Sequence, residues 1–232
     1  MRILALDTST EICAIALGGS AGFEERAVSA GQRHSELLLP MIRSLLADAG
    51  ISLQELDGIA FGAGPGSFTG LRIACGIAQG LALGAGLPLV GVSTLAAMAE
   101  VARRRDGRGR VVAALDARMH EVYIAAYEHD GARWHERVAP AVVKPEAAPL
   151  PPAAGWLGVG GAFAAYPALR LRLAAALADC DAGVTPTASA IGALALPRFA
   201  AGEGVPARDA APLYVRHRVA LTTAERAAGS TL

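Results

Sequence analysis

The sequence predicts an α/β protein made of two similar lobes, and three observations carry that prediction. Arg2–Leu6 is nearly all apolar, ends in Asp7, and turns through Thr8, Ser9 and Thr10 into a second apolar run, Ile12–Leu17. Val111–Leu115 likewise ends in Asp116 and turns through Ala117 and Arg118 into Glu121–Tyr127. Between them, Arg103–Arg110 is the sharpest shift in composition and reads as a linker. A strand–turn–strand opening that recurs after a linker is the pattern of a duplicated unit. The lobes then fall at residues 1–103 and 104–232, and a helix near 188–204 can pack back on the first lobe.

The elements follow in order. Phe23–Ser29 alternates and completes an N-terminal meander with the first two strands. Leu37, Leu38, Met41, Ile42, Leu45 and Leu46 recur at helical steps, which predicts a helix over Ser35–Ala49 that stops at Gly50. Pro40 falls within its first two turns, where proline costs least. Ser52 and Glu55 have capping-box spacing for a short helical turn. Gly58–Gly62 reads as a strand, and a glycine-rich loop then opens a second helix over Phe68–Gly84. Leu87–Val92 is a strand and Thr94–Arg104 a helix. Beyond the linker, Arg133–Val138 and Trp156–Gly160 read as strands, and Ala168–Ala178 and Ala188–Ala201 as helices. The tail from Thr222 is polar and reads as frayed.

The 21 basic and 21 acidic side chains cancel, so no global field draws the chain to nucleic acid. The 53% hydrophobic content excludes disorder. Cys13, Cys75 and Cys180 are an odd, scattered set, which fits reduced thiols in a cytoplasmic protein. The N-terminal apolar run is too short for a signal peptide. Ile73–Val92 is broken by glycines, Gln79 and Pro88, so it reads as no membrane span.

Two constellations could carry chemistry. Asp7, Thr8 and Ser9 at a strand end could hold a phosphate or a metal-bound water, although taken alone an Asx turn is the better explanation. Gly64, Gly66 and Ser67 follow a strand and open a helix, a place where backbone amides meet anions. No Gly-Lys-Ser/Thr follows, and Pro65 removes one donor, so the loop is neither a P-loop nor a dinucleotide fingerprint. His34, His120, His129, His135 and His217 show no metal-ligand spacing, and no triad pattern exists. The helix after the loop carries two rows of small residues at steps of four: Gly70, Ala74, Ala78 and Ala82, and then Gly76, Gly80 and Gly84. Each glycine costs a helix about 1 kcal/mol against alanine, so close packing, either within the chain or against another subunit, must offset it.

Read together, Leu4–Ser9, Gln32–Pro40, Gly64–Ile73, Gly91–Leu95, Asp116–Tyr123 and Pro212–Arg216 resemble, in this order, the bacterial TsaB family, also called YeaZ. These are tRNA threonylcarbamoyladenosine biosynthesis proteins, non-catalytic paralogues of TsaD. The likeness spans nearly the whole chain and is sharpest over Gly64–Arg72. It implies an actin/Hsp70/sugar-kinase-like fold of two RNase H-like lobes. It also implies a dimerization or scaffold role in making N6-threonylcarbamoyladenosine at position 37 of ANN-decoding tRNAs. The implied partners are the TsaD transferase and the TsaE ATPase, with a homodimer when alone and tRNA met only through the complex. The resemblance implies no intrinsic cofactor, with nucleotide only in the complex, and no metal.

TsaD-like chains carry a metal-binding His-x-x-x-His pair just after the strand that follows the glycine loop. In that register this sequence has Thr94 and Met98, which are poor ligands for iron, zinc or magnesium. The expectation is therefore a pseudo-enzyme whose degenerate nucleotide loop keeps Asp7, Thr8, Ser9, Gly64, Gly66 and Ser67. Its partner interface would use Arg33, His34, Leu38, Met41 and Ile42 of the first helix. The second helix would supply Phe68, Leu71, Arg72, Ala74, Cys75, Ala78, Gln79 and Ala82. A large residue at Ala78 would then break the complex without unfolding the lobe. The family has a small residue, often glycine, where this chain has His120. The competing readings are an active ATPase of sugar-kinase type, a metallopeptidase-like enzyme, or direct tRNA binding through Arg103–Arg110.

Overall fold

The computed structural model describes residues 1–216; the tail from Thr222 lies outside the described residues. The first sheet contains β1 (Arg2–Asp7), β2 (Ile12–Gly19), β3 (Gly22–Ser29), β4 (Gly58–Gly64) and β5 (Leu89–Ser93), in the order β3-β2-β1-β4-β5. β1, β2 and β3 form an antiparallel meander, while β4 and β5 join parallel to β1. The second sheet contains β6 (Arg110–Arg118), β7 (Glu121–His129), β8 (Trp134–Val143), β9 (Trp156–Val159) and β10 (Leu177–Asp181). Its order is β8-β7-β6-β9-β10, with the same directions at every step. The duplication expected from the paired Asp7 and Asp116 strands is thus a repeat of the whole five-strand topology, as the two RNase H-like lobes of the actin/Hsp70/sugar-kinase arrangement require.

The alternation of side chains along β1 fixes which helix covers which face. Leu4 and Leu6 join Ile15, Leu17, Ile59 and Phe61 beneath α1 (His34–Asp48) and α2 (Phe68–Ala85). Ile3 and Ala5 point the other way, with Ala14, Ala16, Ala60 and Val90, onto α6 (Ala188–Ala200). In the second lobe α3 (Thr94–Asp106) packs on Val111, Ala113, Ala125 and Val159. α4 (Ala162–Ala165) and α5 (Pro167–Leu173) cover the opposite face around Trp156 and Phe163. α3 and α6 also touch each other, so both lie between the sheets. The order through the molecule is α1 and α2, first sheet, α6 and α3, second sheet, α4 and α5. The alanine-rich composition has its explanation in that middle layer: Ala5, Ala14, Ala16, Ala97, Ala190 and Ala195 let two helices fit between two sheets.

Some boundaries differ from expectation. Arg103–Asp106 form the last turn of α3, which ends on the left-handed Gly107 (φ 69°), so only residues 107–109 lie between α3 and β6. Helix propensity and the favourable dipole at a helix C-terminus hold the arginines in place. Asp116, Ala117 and Arg118 stay in β6; the turn is Met119–His120, and Arg118, Met119 and His120 all have positive φ (63°, 54° and 57°). Left-handed backbone is where glycine is cheapest, so this turn carries its positive φ on three residues that have a Cβ. The helix read over Ala168–Ala178 ends at Leu173, and the chain continues into β10, an edge strand whose Asp179 and Asp181 hid it from any hydrophobic pattern.

Glu100 anchors the last turns of α3. It is 3% exposed and accepts from Arg103, Arg104 and the Trp134 indole at 2.8–2.9 Å. Burial alone would raise its pKa, but these hydrogen bonds outweigh that and hold it down to about 2. A depressed carboxylate contributes stability above its unfolded value, near 4.5, and loses it as pH falls towards 2. Glu100→Gln is therefore expected to lose about 2 kcal/mol at pH 7, below the range for fully buried pairs because both arginines are at least a third exposed. The deficit should shrink between pH 4.5 and 2, followed by Trp134 fluorescence in urea; a deficit independent of pH would refute it.

Candidate functional site: a closed glycine loop beside an exposed helix face

The β1–β2 turn sits directly on the N-terminus of α2. The Thr8 hydroxyl donates to the Gly70 carbonyl at 2.6 Å, and the Ser67 amide donates to the Ser9 carbonyl at 2.7 Å. The Ser67 hydroxyl caps the helix by accepting from the Gly70 amide at 3.3 Å. A Cβ at Gly70 would collide with the Thr8 carbonyl oxygen, and one at Gly66 with that of Ser9. These glycines are required by backbone packed on backbone. The loop that could have met a phosphate packs against the chain's own turn.

Asp7 (1% exposed), Thr8 (0%) and Ser9 (2%) are buried, whereas Ser67 is exposed. Asp7 accepts from the Ser9 hydroxyl at 2.9 Å and the Ser9 amide at 3.2 Å, which is the Asx-turn alternative. A Cβ at Gly62 would strike its carboxylate, and Ile191 of α6 closes the same space. Burial pushes the Asp7 carboxyl up to about 6; the Ser9 bonds offset part of that and nearby Glu25 adds to it. Its second-lobe counterpart, Asp116, is more open and accepts from Tyr166 and the Arg118 amide, both at 2.8 Å. Arg118 also pairs with Asp116 at 3.4 Å, and Glu121 pairs with Arg216 from far along the chain.

Thr94 and Met98, where metal-binding histidines would stand, are both 0% exposed at the start of α3. The Met98 methyl fills the space a Cβ at Gly160 would need. Among the described residues no group of three His, Cys, Asp or Glu is placed to hold a metal. The arginines of Arg103–Arg110 are committed to acids: Arg103 and Arg104 to Glu100, Arg105 to Asp106 and Asp181, Arg108 to Asp179, Arg110 to Glu128. Nucleic-acid phosphates would have to compete with every one of those pairs.

The two small-residue rows of α2 have opposite fates. Gly70, Ala74, Ala78 and Ala82 face the first sheet and are buried, so close packing within the chain is what that row serves. Gly76, Gly80 and Gly84 are exposed, and a Cβ built at any of them meets nothing within 4 Å. Several expected interface residues are therefore corrected. His34, Leu38, Ile42, Leu71, Ala74, Cys75, Ala78 and Ala82 all lie in the interior and have no surface to offer a partner. A large residue at Ala78 would disturb the core. His34 is 6% exposed, and its Nε2 has no partner among the described residues. Gln79 is committed internally to the Ala207 and Ala210 carbonyls at 3.0 Å. Arg33, Phe68 and Arg72 are exposed and Met41 is half-buried. Beside the exposed glycine row of α2 lie the half-buried Ile73 and Ile77, and α1 adds the exposed Leu39 and the half-buried Leu37 and Met41. By length and composition alone α2 could cross a membrane, but its inward row is core.

A strap, residues 203–216, was not legible as an element. It pairs Val205 with Leu89, runs along α2, donates from the Leu213 amide to the Ala63 carbonyl at 2.7 Å, and ends with Arg216 on the second lobe's Ala117 carbonyl. Between strap, β4 and β5 lies a cleft of about 320 Å³ lined by Phe61, Ser93 and Leu213.

The family model described as "TsaD: tRNA N6-adenosine threonylcarbamoyltransferase" matches residues 28–182. An Escherichia coli K12 protein, "tRNA threonylcarbamoyladenosine biosynthesis protein TsaB", is 43% identical over 95% of this chain and 96% of its own length. The Haemophilus influenzae protein of the same name is 44% identical over 64% of this chain and 66% of its own. A solved Pseudomonas aeruginosa structure, "YeaZ", superposes with a TM-score of 0.84 at 40% identity, covering 92% of this chain and 99% of the other.

Proposed function

The chain belongs to the TsaB family of tRNA threonylcarbamoyladenosine biosynthesis proteins, within the wider group matched by the TsaD model, and from that premise we propose that it is the non-catalytic scaffold subunit supporting a TsaD-type transferase. The observation that carries the non-catalytic part is the closed glycine loop. Two of the amides at the start of α2, those of Ser67 and Gly70, already donate to the Ser9 carbonyl and the Ser67 hydroxyl, and the Thr8–Ser9 turn packs against the loop at Gly66 and Gly70. Thr94 and Met98, packed inside, add to this. The names of the Escherichia coli and Haemophilus influenzae relatives belong to tRNA modification and support neither the kinase nor the metallopeptidase reading.

The partner surface is the outward face of α1 and α2. Its glycine row lets another helix approach the α2 backbone closely, and the apolar side chains beside it give that contact hydrophobic area. A second copy could use the same face when the transferase is absent. TsaE and tRNA would then join through the complex, with any nucleotide held there and none by this chain alone.

Reconstitution tests the reading. The transferase subunit from the same genome, with tRNA and the threonylcarbamoyl donor, is expected to modify adenosine at least tenfold faster with this chain than without it. This chain alone should show no turnover. Modification at full rate in its absence would overturn the scaffold role.

A further inference from the structure

Beside the glycine row, at the N-terminal end of α2, an exposed cluster joins the helix to the strap. Phe68 is 51% exposed and Tyr214 43% exposed. The Arg72 guanidinium lies over the Phe68 ring at 3.8 Å, and its Nε donates to the Tyr214 hydroxyl at 3.1 Å. The Phe68 and Tyr214 rings are 6.0 Å apart, tilted by 41°. The cluster is pre-organised. Phe68 is on the first turn of α2, and Tyr214 follows the Leu213 amide bonded to β4. Neither terminal nitrogen of Arg72 has an acceptor among the described residues, and no carboxylate of those residues lies within salt-bridge distance of it. A planar cation fixed by stacking, with its outer donors unused, matches the geometry of a carboxylate fork.

We infer that Phe68, Arg72 and Tyr214 form an anchor that receives an acidic side chain of the partner protein, with Tyr214 of the strap holding Arg72 in the receiving orientation. This rests on the reading of the α1–α2 face as the partner surface, which the cluster borders. Stacking removes much of the entropy a free arginine would lose on docking, and aromatic–arginine groups of this kind dominate interface energies. The strap is thereby part of the interface, although it lies more than a hundred residues from α2 in sequence.

The test is titration of the transferase subunit from the same genome against five variants, with thermal unfolding as a folding control. Arg72→Ala and Tyr214→Ala are expected to weaken binding about 30-fold each, the scale of an anchor residue. The double variant should be little worse than either single one, because the two act as a unit. Arg72→Lys should recover less than half of the loss, since an ammonium neither stacks nor forks. Wild-type affinity should fall with added salt more steeply than that of Arg72→Ala. Gly80→Arg, on the helix face, separates the two ideas. If it abolishes binding while Arg72→Ala and Tyr214→Ala bind within twofold of wild type, the anchor is wrong and the helix face stands. If Gly80→Arg binds normally, the helix face itself is wrong. Full recovery by lysine would also overturn the carboxylate fork.

Discussion

Gly80→Arg should abolish assembly with the transferase while leaving the isolated chain as stable as wild type, or slightly more so. Gly80 is exposed in the middle of α2, and a Cβ there meets nothing within 4 Å. Replacing a helix-interior glycine by arginine gains about 0.7 kcal/mol of helix propensity. At a helix–helix contact the same side chain would hold the two backbones apart and bury an unpaired charge, so a loss above a hundredfold in affinity is expected. Ala78, two residues away, should behave in the opposite sense. It is 0% exposed, so Ala78→Phe overpacks the first lobe and costs up to about 3 kcal/mol before any partner is met. Denaturant melts of both variants, with binding and reconstituted tRNA modification, check the pair. Normal assembly by Gly80→Arg would remove α2 from the interface.

That pair also shows what the sequence could and could not say. Small residues at steps of four were visible, and they did mark close approach. Two such rows lie on one helix, and periodicity alone gives no origin for the wheel: whether Ala78 or Gly80 faces the sheet depends on packing. Strands with continuous apolar runs, such as β1 and β6, were legible because both faces are covered. β10 was not, because an edge strand with Asp179 and Asp181 carries no such run. The arginines after Val101 looked like a linker by composition, but i to i+3 and i to i+4 pairs with Glu100 continue the helix. The strap has no periodicity at all; its order comes from backbone bonds to Leu89 and Ala63, and no local pattern announces such partners. The glycine loop is visible in the sequence, but what packs against it is not, since those atoms belong to Thr8 and Ser9, more than fifty residues earlier.

The same loop leads to the prediction with the largest effect on stability. Asp7 is fully enclosed, and its hydrogen bonds come chiefly from the Ser9 hydroxyl and amide, with a smaller contribution from the Thr8 amide. Burial is the main reason its folded pKa rises from 3.8 to about 6, with Glu25 adding in the same direction. A raised carboxylate favours the folded state below the unfolded pKa, and this advantage disappears as pH climbs through about 6. At pH 7.5 the ionised group therefore costs about 3 kcal/mol, at 1.36 kcal/mol per unit. Asp7→Asn removes that cost while its amide oxygen can still accept from the Ser9 amide and its NH₂ can face the Ser9 hydroxyl. The variant should be more stable than wild type by up to about 3 kcal/mol at pH 7.5, with the gain vanishing near pH 4, the reverse of the trend at Glu100. A variant less stable at pH 7.5 would mean that the Ser9 bonds favour the carboxylate by more than burial opposes it. In the reconstituted reaction, Asp7→Asn should also keep full tRNA modification, because a scaffold needs the turn and not the charge. Loss of modification together with gain of stability would instead identify Asp7 as a carboxylate kept for chemistry at the expense of the fold.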